Sequence, residues 1–427
     1  MRTAVTWLAS SSFEIDRARA ILKSLDKPDT VDELGFQEMS RAISNHFYPA
    51  VTTLLTRARY LFFIADIYRK LELDKFTSQS KVKTKAREMQ DELRKRLDKG
   101  GEKDGVIGRS AEEDLIRYPS TLYWSALLTL GIRREYRTES SYQEAIAAGE
   151  YRPHDMKDDD GLTHPVDVHS MWDPDALRIH SQAKGETDET FALSFAEAEY
   201  LEKKYAALGQ TDGAEPLIAH LVKLSRDQKL RSPIEFANLW DISPLPESVK
   251  KAARHAKMLS LLAKGATLQY HCMLIELKKE KDLGAREAFK KWWGEAKKQG
   301  LRSSIEGNDF LTQLKAWGVP SPASDRKFLW DWTDVITDAE SASAALADEK
   351  ARSFIKSREA SVRPTKKRLS GGHHLNSWQM RDTYDSQNLF LLDYRHPEGR
   401  QFAEDIAKSI AKSIAKSIPK QLRRQAP

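Results

Sequence analysis

The 427 residues hold a single cysteine, Cys272. This excludes an internal disulfide framework and any zinc module built on several thiolates, and it suits a reducing compartment. Long apolar runs are also missing. The stretch "TRARYLFFIADIYRK" (56–70) contains an apolar run at 61–67, about a third of the roughly 20 residues a membrane-spanning helix needs. Residues 1–12 lack the basic start and continuous apolar stretch of a secretory signal. A soluble, cytoplasmic chain without stable membrane insertion is expected. Alternating β-branched runs bounded by turn dipeptides are almost absent. No G-x-x-x-x-G-K-[ST] loop or G-x-S-x-G elbow occurs.

What is present is enough to fold. Hydrophobic residues make up 40%, with ten tryptophans, so the chain is globular rather than disordered. The net charge of +6 is unevenly spread. Residues 349–368 carry eight basic and two acidic side chains, and 399–427 seven and two, which leaves about −5 for the rest. A polyanion partner is therefore sought first in the C-terminal quarter.

Apolar residues return every three or four positions between helix-start signals. Ser11 with Glu14, Thr30 with Glu33, Ser110 with Glu113, Ser141 with Glu144 and Ser194 with Glu197 have capping-box spacing. Pro49, Gly100, Gly131 and Gly209 are expected stops. The fold class is mostly α and multi-helical: two helical domains joined by a long acidic, His-rich irregular segment. The expected blocks are 1–150, a connector at 151–190, 191–398, and a basic amphipathic low-complexity tail at 399–427. In the later block, a long helix is expected from Glu247 to about Lys281, and another near 338–361. In the tail a four-residue unit puts Ile406, Ile410 and Ile414 on one helical stripe, with Lys408, Lys412 and Lys416 nearly opposite. Its plain reading is a solvated or docked helix; polyanion or membrane-surface binding is the alternative.

Constellations that carry chemistry are few. In 56–70, Leu61, Phe62, Phe63, Ile64 and Ile67 cover almost every direction of a helix, which belongs in a core. Arg57 and Arg59 at its start reach either an internal acid or a phosphate. Arg109, beside a helix start, is a candidate anion contact. His154, His164, His169 and His180 lie among many aspartates, yet no spacing matches a tight metal pair, and no metal or cofactor is expected. "ELK" at Glu276–x–Lys278 has the look of a nuclease half-site, but on a helix the two side chains do not converge. His373, His374, Asp393, Arg395 and His396 are a possible acid–base group, and no nucleophile accompanies them. Cys272, on an apolar pattern, reads as buried and inert.

The stretches "TVDELGFQEMSRAISNHFYPAVTTLLTRARYLFFIADIYR", "DGVIGRSAEEDLIRYPSTLYWSALLTLGIR", "FALSFAEAEYL", "RHAKMLSLLAKGATLQYHCML" and "NLFLLDYRHPEGRQFAEDIAKSI" together resemble a bacterial and archaeal family of unknown function. The resemblance covers nearly the whole chain. It implies a setting beside helicase-type and phospholipase-D-like nuclease genes, and hence DNA processing or defence against phage. It supplies no catalytic residue.

The expectation is a non-enzymatic component that docks partner proteins, a helicase or nuclease among them, and contacts nucleic acid. The contact candidates are Arg57, Arg59, Arg109, Lys350, Arg352, Lys356, Arg358, Arg363, Lys366, Lys367 and Arg368, with Asp393, Arg395 and His396 as a further site. The alternative is a metal-dependent hydrolase using the 154–180 histidines or the residues around Asp393.

Overall fold

The computed structural model describes residues 32–417, apart from 110–116, 153, 158–162, 167–169, 184–189, 210–214, 228–238, 240–243, 307–308 and 385–390. In chain order the helices begin with α1 (Phe36–Phe47), α2 (Tyr60–Leu73), α3 (Gln79–Lys99), α4 (Pro119–Thr129) and α5 (Glu139–Ala148). Two short strands follow, β1 (His154–Lys157) and β2 (Thr163–Val166), then α6 (Pro174–Ala183), α7 (Phe195–Ala207) and α8 (Leu217–Arg226). The long α9 (Glu247–Lys278) precedes α10 (Ala285–Lys298), α11 (Leu301–Ile305), α12 (Asp309–Ala316) and α13 (Pro322–Asp338). The chain continues through α14 (Ala342–Ala347), α15 (Glu349–Val362), α16 (His373–Asn376) and α17 (His396–Ser417). Among the described residues no helix is long and apolar enough to cross a membrane.

The chain groups into two compact units. One takes 43–251 with 393–427, and the other takes 1–42 with 252–392. Each is therefore assembled from two separated stretches, and the consecutive blocks expected from composition cut across them.

In the 43–251 unit, α2 is the apolar-all-round helix of the opening stretch. Tyr60 to Ala65, Ile67, Tyr68 and Leu71 are all buried, and α3, α4 and α6 pack against it. Fully burying one such large side chain contributes about 1.5–3 kcal/mol, so this helix is a principal source of the unit's stability. α17 packs on α7 and α8. Its buried residues Phe402, Ile406 and Ile410 carry the expected isoleucine stripe, while Lys408 and Lys412 are exposed. Near the start of α17, Gly399 is needed for space: a Cβ there meets the Tyr48 ring at 2.0 Å.

The expected irregular connector is more ordered than its composition implied. β1 and β2 pair antiparallel, His154 opposite Val166 and Lys157 opposite Thr163. α6 then starts at Pro174, where a missing N–H costs nothing, and the Asp173 carboxylate accepts the Asp175 amide at 3.1 Å. Ser194 and Glu197 form the capping box in both directions. The expected Ser141 cap is replaced by Thr138, which accepts the Ser141 amide at 3.1 Å and starts α5 three residues earlier. The caps proposed at Ser11, Thr30 and Ser110 lie outside the described residues.

In the other unit, the part of α9 from Ala252 onward is the central element. The Trp292 indole lies on Gly265, where a Cβ would come within 2.0 Å of it, and donates to the Leu261 carbonyl at 2.8 Å. Trp332 donates to Gln269 at 2.7 Å, which satisfies a polar group in the middle of the core. The single helix expected near 338–361 is two, because Ser341 and Asp348 each cap a new start, accepting the amides of Ala344 and Ala351 at 3.1 and 2.8 Å.

Both units bring a histidine, a glutamate and an arginine together, all buried except Arg368, which is half-buried. In the 43–251 unit, His180 Nδ1 lies 2.6 Å from Glu197 Oε1, and Arg59 Nε 3.3 Å from Glu197 Oε2. In the other, His271 Nε2 lies 2.9 Å from Glu33 Oε2, and Arg368 donates to Glu33 Oε1. The remaining His271 nitrogen meets the Tyr384 hydroxyl at 2.9 Å.

Candidate nucleic-acid interface

A phosphate contact needs a cation that solvent can reach, and on this criterion the candidates divide. Arg59 is fully buried: besides Glu197 it donates to the Thr190 carbonyl at 3.0 Å, and its guanidinium lies 5.1 Å from the Phe63 ring centroid. Burial pushes the Glu197 carboxyl up, but the hydrogen bond with His180 and the Arg59 charge outweigh it and hold the group below its ordinary value. Arg57 clamps Asp405 with Nε and Nη2 at 2.9–3.2 Å, and Asp405 also accepts the Ala58 amide at 3.1 Å. Here too burial disfavours the charge, yet Asp405 raises the Arg57 pKa on balance. Arg59 therefore serves the interior and leaves the interface set, while Arg57, 21% exposed, is engaged by Asp405.

Arg109 remains at the surface, paired with Asp98 at 3.1 Å and donating to the Lys103 carbonyl at 2.8 Å. An exposed pair of this kind contributes little to stability, so the guanidinium is exchangeable toward an incoming anion.

Within 349–368 three arginines are committed internally. Arg358 reaches Asp325 at 2.8 Å and the Leu34 carbonyl at 2.8 Å. Arg368 holds Glu33, and its amide donates to Glu359 at 2.8 Å. Arg352 meets Glu276 at 2.7 Å, and Arg286 takes the other oxygen of the same carboxylate at 3.0 Å. These side chains line a cleft of ≈520 Å³ together with Lys290 and Glu349. Lys350, Lys356 and Lys366 are exposed, while Arg363 and Lys367 are half-buried.

The group near Asp393 is an anchor. Tyr394 and Arg395 both adopt left-handed backbone (φ 55° and 60°), a conformation that persists in bulky residues only where surroundings hold it. Asp393 accepts the Arg395 amide at 3.1 Å, and Arg395 donates to Asn45 and to the Val51 carbonyl, both at 2.9 Å. His396, 2% exposed, bonds the buried Tyr48 hydroxyl, whose pKa burial pushes well up. These contacts fix the entry of α17. His373 and His374 belong to the other unit and sit on the short α16.

The remaining sequence candidates resolve in the same way. Of the connector histidines, His180 is the buried partner of Glu197, His169 lies outside the described residues, and Asp173 is bonded by Tyr200 and Lys204, both at 2.9 Å. Burial raises the Asp173 carboxyl, but those two donors bring it below its ordinary value. Glu276 and Lys278 do not converge, since Lys278 reaches Glu280 at 2.7 Å and the Trp378 carbonyl at 2.8 Å. Burial pushes the Cys272 thiol up to about 12, which makes it a poor nucleophile. Among the described residues no three His, Cys, Asp or Glu side chains gather as a metal site.

Two features escaped the sequence reading. The first nine residues of α3, "QSKVKTKAR", contain no acid, and Lys81, Lys83, Lys85 and Arg87 are all exposed. The alternating K-x-K-x-K-x-R run was the available signal. The buried stripe Val82, Ala86, Gln90, Leu93 and Leu97 turns these cations outward on either side of the packed face. The second feature is Tyr136, 92% exposed in the turn between α4 and α5. No periodicity in the sequence distinguishes it from a packed tyrosine.

Residues 2–408 match the model of a family described as a family of unknown function (DUF6361). No curated protein and no solved structure matches the chain.

Proposed function

Because the chain belongs to the DUF6361 family of unknown function, we propose its role from its own residues: a non-catalytic component of a DNA-processing or phage-defence system that docks partner proteins and holds nucleic acid by its phosphates. The observation that carries the nucleic-acid part is the exposed cationic start of α3, where the first acid is Glu88, paired with Lys85 at 3.2 Å. Lys350, Lys356 and Lys366 in the other unit add a second exposed group. Such contacts are sequence-independent and release counterions, so they weaken steeply with salt. The setting and the helicase or nuclease partner come from the family resemblance.

The test is binding of the full chain to single- and double-stranded oligonucleotides across a salt series. Beside it stands a variant with Lys81, Lys83, Lys85 and Arg87 changed to glutamine. For duplex the variant is expected to lower the log–log salt slope by up to about 3.6, at about 0.9 per phosphate contact. All four side chains are exposed, so folding is preserved. An unchanged slope removes α3 from the interface, and no binding even at low salt sinks the proposal.

A further inference from the structure

Large aromatic side chains rarely stand in solvent on a rigid support, and the turn bearing Tyr136 is held unusually firmly. On one side its backbone is laddered to 171–173: the Arg134 amide donates to the Met171 carbonyl and the Asp173 amide to the Ile132 carbonyl, both at 2.8 Å. From beneath, the buried Arg133 guanidinium donates to the carbonyls of Glu135, Arg137 (2.8 Å) and Trp124 (3.2 Å), and lies 4.7 Å from the centroid of the Trp124 ring. The Trp124 indole adds a second donor to the Arg137 carbonyl at 2.9 Å. Thr138 then caps α5. Both residues flanking Tyr136 are thus pinned through their carbonyls, while the phenol ring itself is 92% exposed.

We infer that Tyr136 is a stacking platform for an unpaired base, so that the nucleic acid held by this chain is single-stranded. This rests on the phosphate-contact reading above and deepens it. A pinned backbone means little conformational entropy is lost when a base lands on the ring. Every base has a π-face, so the contact is tolerant of sequence and demands only that the base be unstacked. A duplex offers no such base except at its ends.

The charges fit a division of labour. Arg137 is met by Glu135 at 2.9 Å and Glu150 at 3.0 Å, and Arg134 by Asp173 at 3.3 Å, so the turn itself supplies little net charge. The cations lie at the start of α3, Lys81 and Lys85 on one flank of the packed stripe and Lys83 and Arg87 on the other. Gln79, the first residue of α3, donates to the Ser140 carbonyl and hydroxyl at 2.9 and 2.7 Å, in the first turn of the helix that Tyr136 precedes. Stacking at the turn and phosphate contact along α3 are therefore presented by neighbouring elements, as single-strand binders combine an aromatic platform with a cationic track.

The experiment compares the full-length wild type with Tyr136→Ala and Tyr136→Phe, on a single-stranded oligonucleotide carrying 2-aminopurine and on the matching duplex. Tyr136→Ala is expected to weaken single-strand binding about 5- to 100-fold, to abolish the quenching that reports stacking, and to leave duplex binding unchanged. Tyr136→Phe keeps the ring and is expected to behave as wild type. If wild type binds and Tyr136→Ala binds both nucleic acids equally well, the platform is overturned while phosphate contact stands. Equal losses on both also overturn it, since stacking on an unpaired base is then not what the ring provides. Wild type that binds neither overturns the phosphate reading and this inference with it.

Discussion

The two trios of histidine, glutamate and arginine contain the same side chains but are put together differently. In the 43–251 unit, His180 and Glu197 are 17 residues apart on adjoining helices, and Phe62 and Phe63 enclose the imidazole with ring centroids 5.9 and 5.6 Å away. In the other unit, Glu33 bonds a histidine 238 residues later and an arginine 335 residues later. A buried ion pair adds little net stability over an apolar replacement of similar shape, whereas losing one partner is expensive. In the trio around Glu197 only the histidine arm is local, since Arg59 lies 138 positions before the carboxylate; in the trio around Glu33 both arms are long. The long-range trio fixes which remote stretch of chain belongs to the unit, a specificity that an apolar contact does not give.

Breaking the long-range trio is expected to have the largest effect. Glu33→Gln leaves the Arg368 guanidinium and His271 without their carboxylate and is expected to cost about 3–5 kcal/mol, read by urea denaturation of the full chain. Adding Arg368→Met should recover part of that loss. A cost below about 1 kcal/mol would mean that the carboxylate is not what closes the unit.

The trio around Glu197 should respond less, at about 3 kcal/mol for Glu197→Gln, because Arg59 keeps the Thr190 carbonyl. Here pH sharpens the comparison. The Glu197 carboxyl is held below its unfolded value in the folded chain, so its stabilisation is present above the ordinary carboxylate range and is lost as pH falls through the folded value. The stability gap between wild type and Glu197→Gln should therefore close on acidification below about pH 4. A gap that widens in acid reverses the sign and rejects the assignment.

The smallest effect tests shape instead of charge. Gly399→Ala forces a methyl against the Tyr48 ring and should cost about 1–3 kcal/mol. The intrinsic helix preference for alanine, about 1 kcal/mol in the other direction, offsets part of this. A net gain in melting temperature would show that the ring has room to move.

How much of this the sequence disclosed follows the range of the forces involved. α2 was readable because an all-round apolar helix has only one place to go, and the Ser194–Glu197 box because its partners are three residues apart. Cys272 was readable for the same reason as α2. Local chemistry also accounts for the helix starts near 138–148 and 338–362 that differ from expectation, where Thr138, Ser341 and Asp348 supply the caps. The fate of the arginines was hidden. Whether Arg59 meets a phosphate or Glu197 depends on a carboxylate 138 positions away in the chain, and single-sequence spacing does not encode that meeting. The basic stretch 349–368 divides for the same reason: its charge density is legible, but the partners Asp325, Glu33 and Glu276 that engage Arg358, Arg368 and Arg352 are not. Conversely, the exposure of Tyr136 is set by Arg133 turning beneath its own loop, an arrangement without a periodic signature.

The bond between Arg57 and Asp405 joins residues 348 positions apart. On a ribosome adding roughly 5–20 residues per second, Arg57 waits roughly 20–70 s before Asp405 exists. For about the second half of that interval α7 and α8 are complete but their apolar surfaces lack α17. The 43–251 unit thus receives its closing helix only after the 252–392 stretch of the other unit has been made, and until then the apolar faces that α17 covers are open.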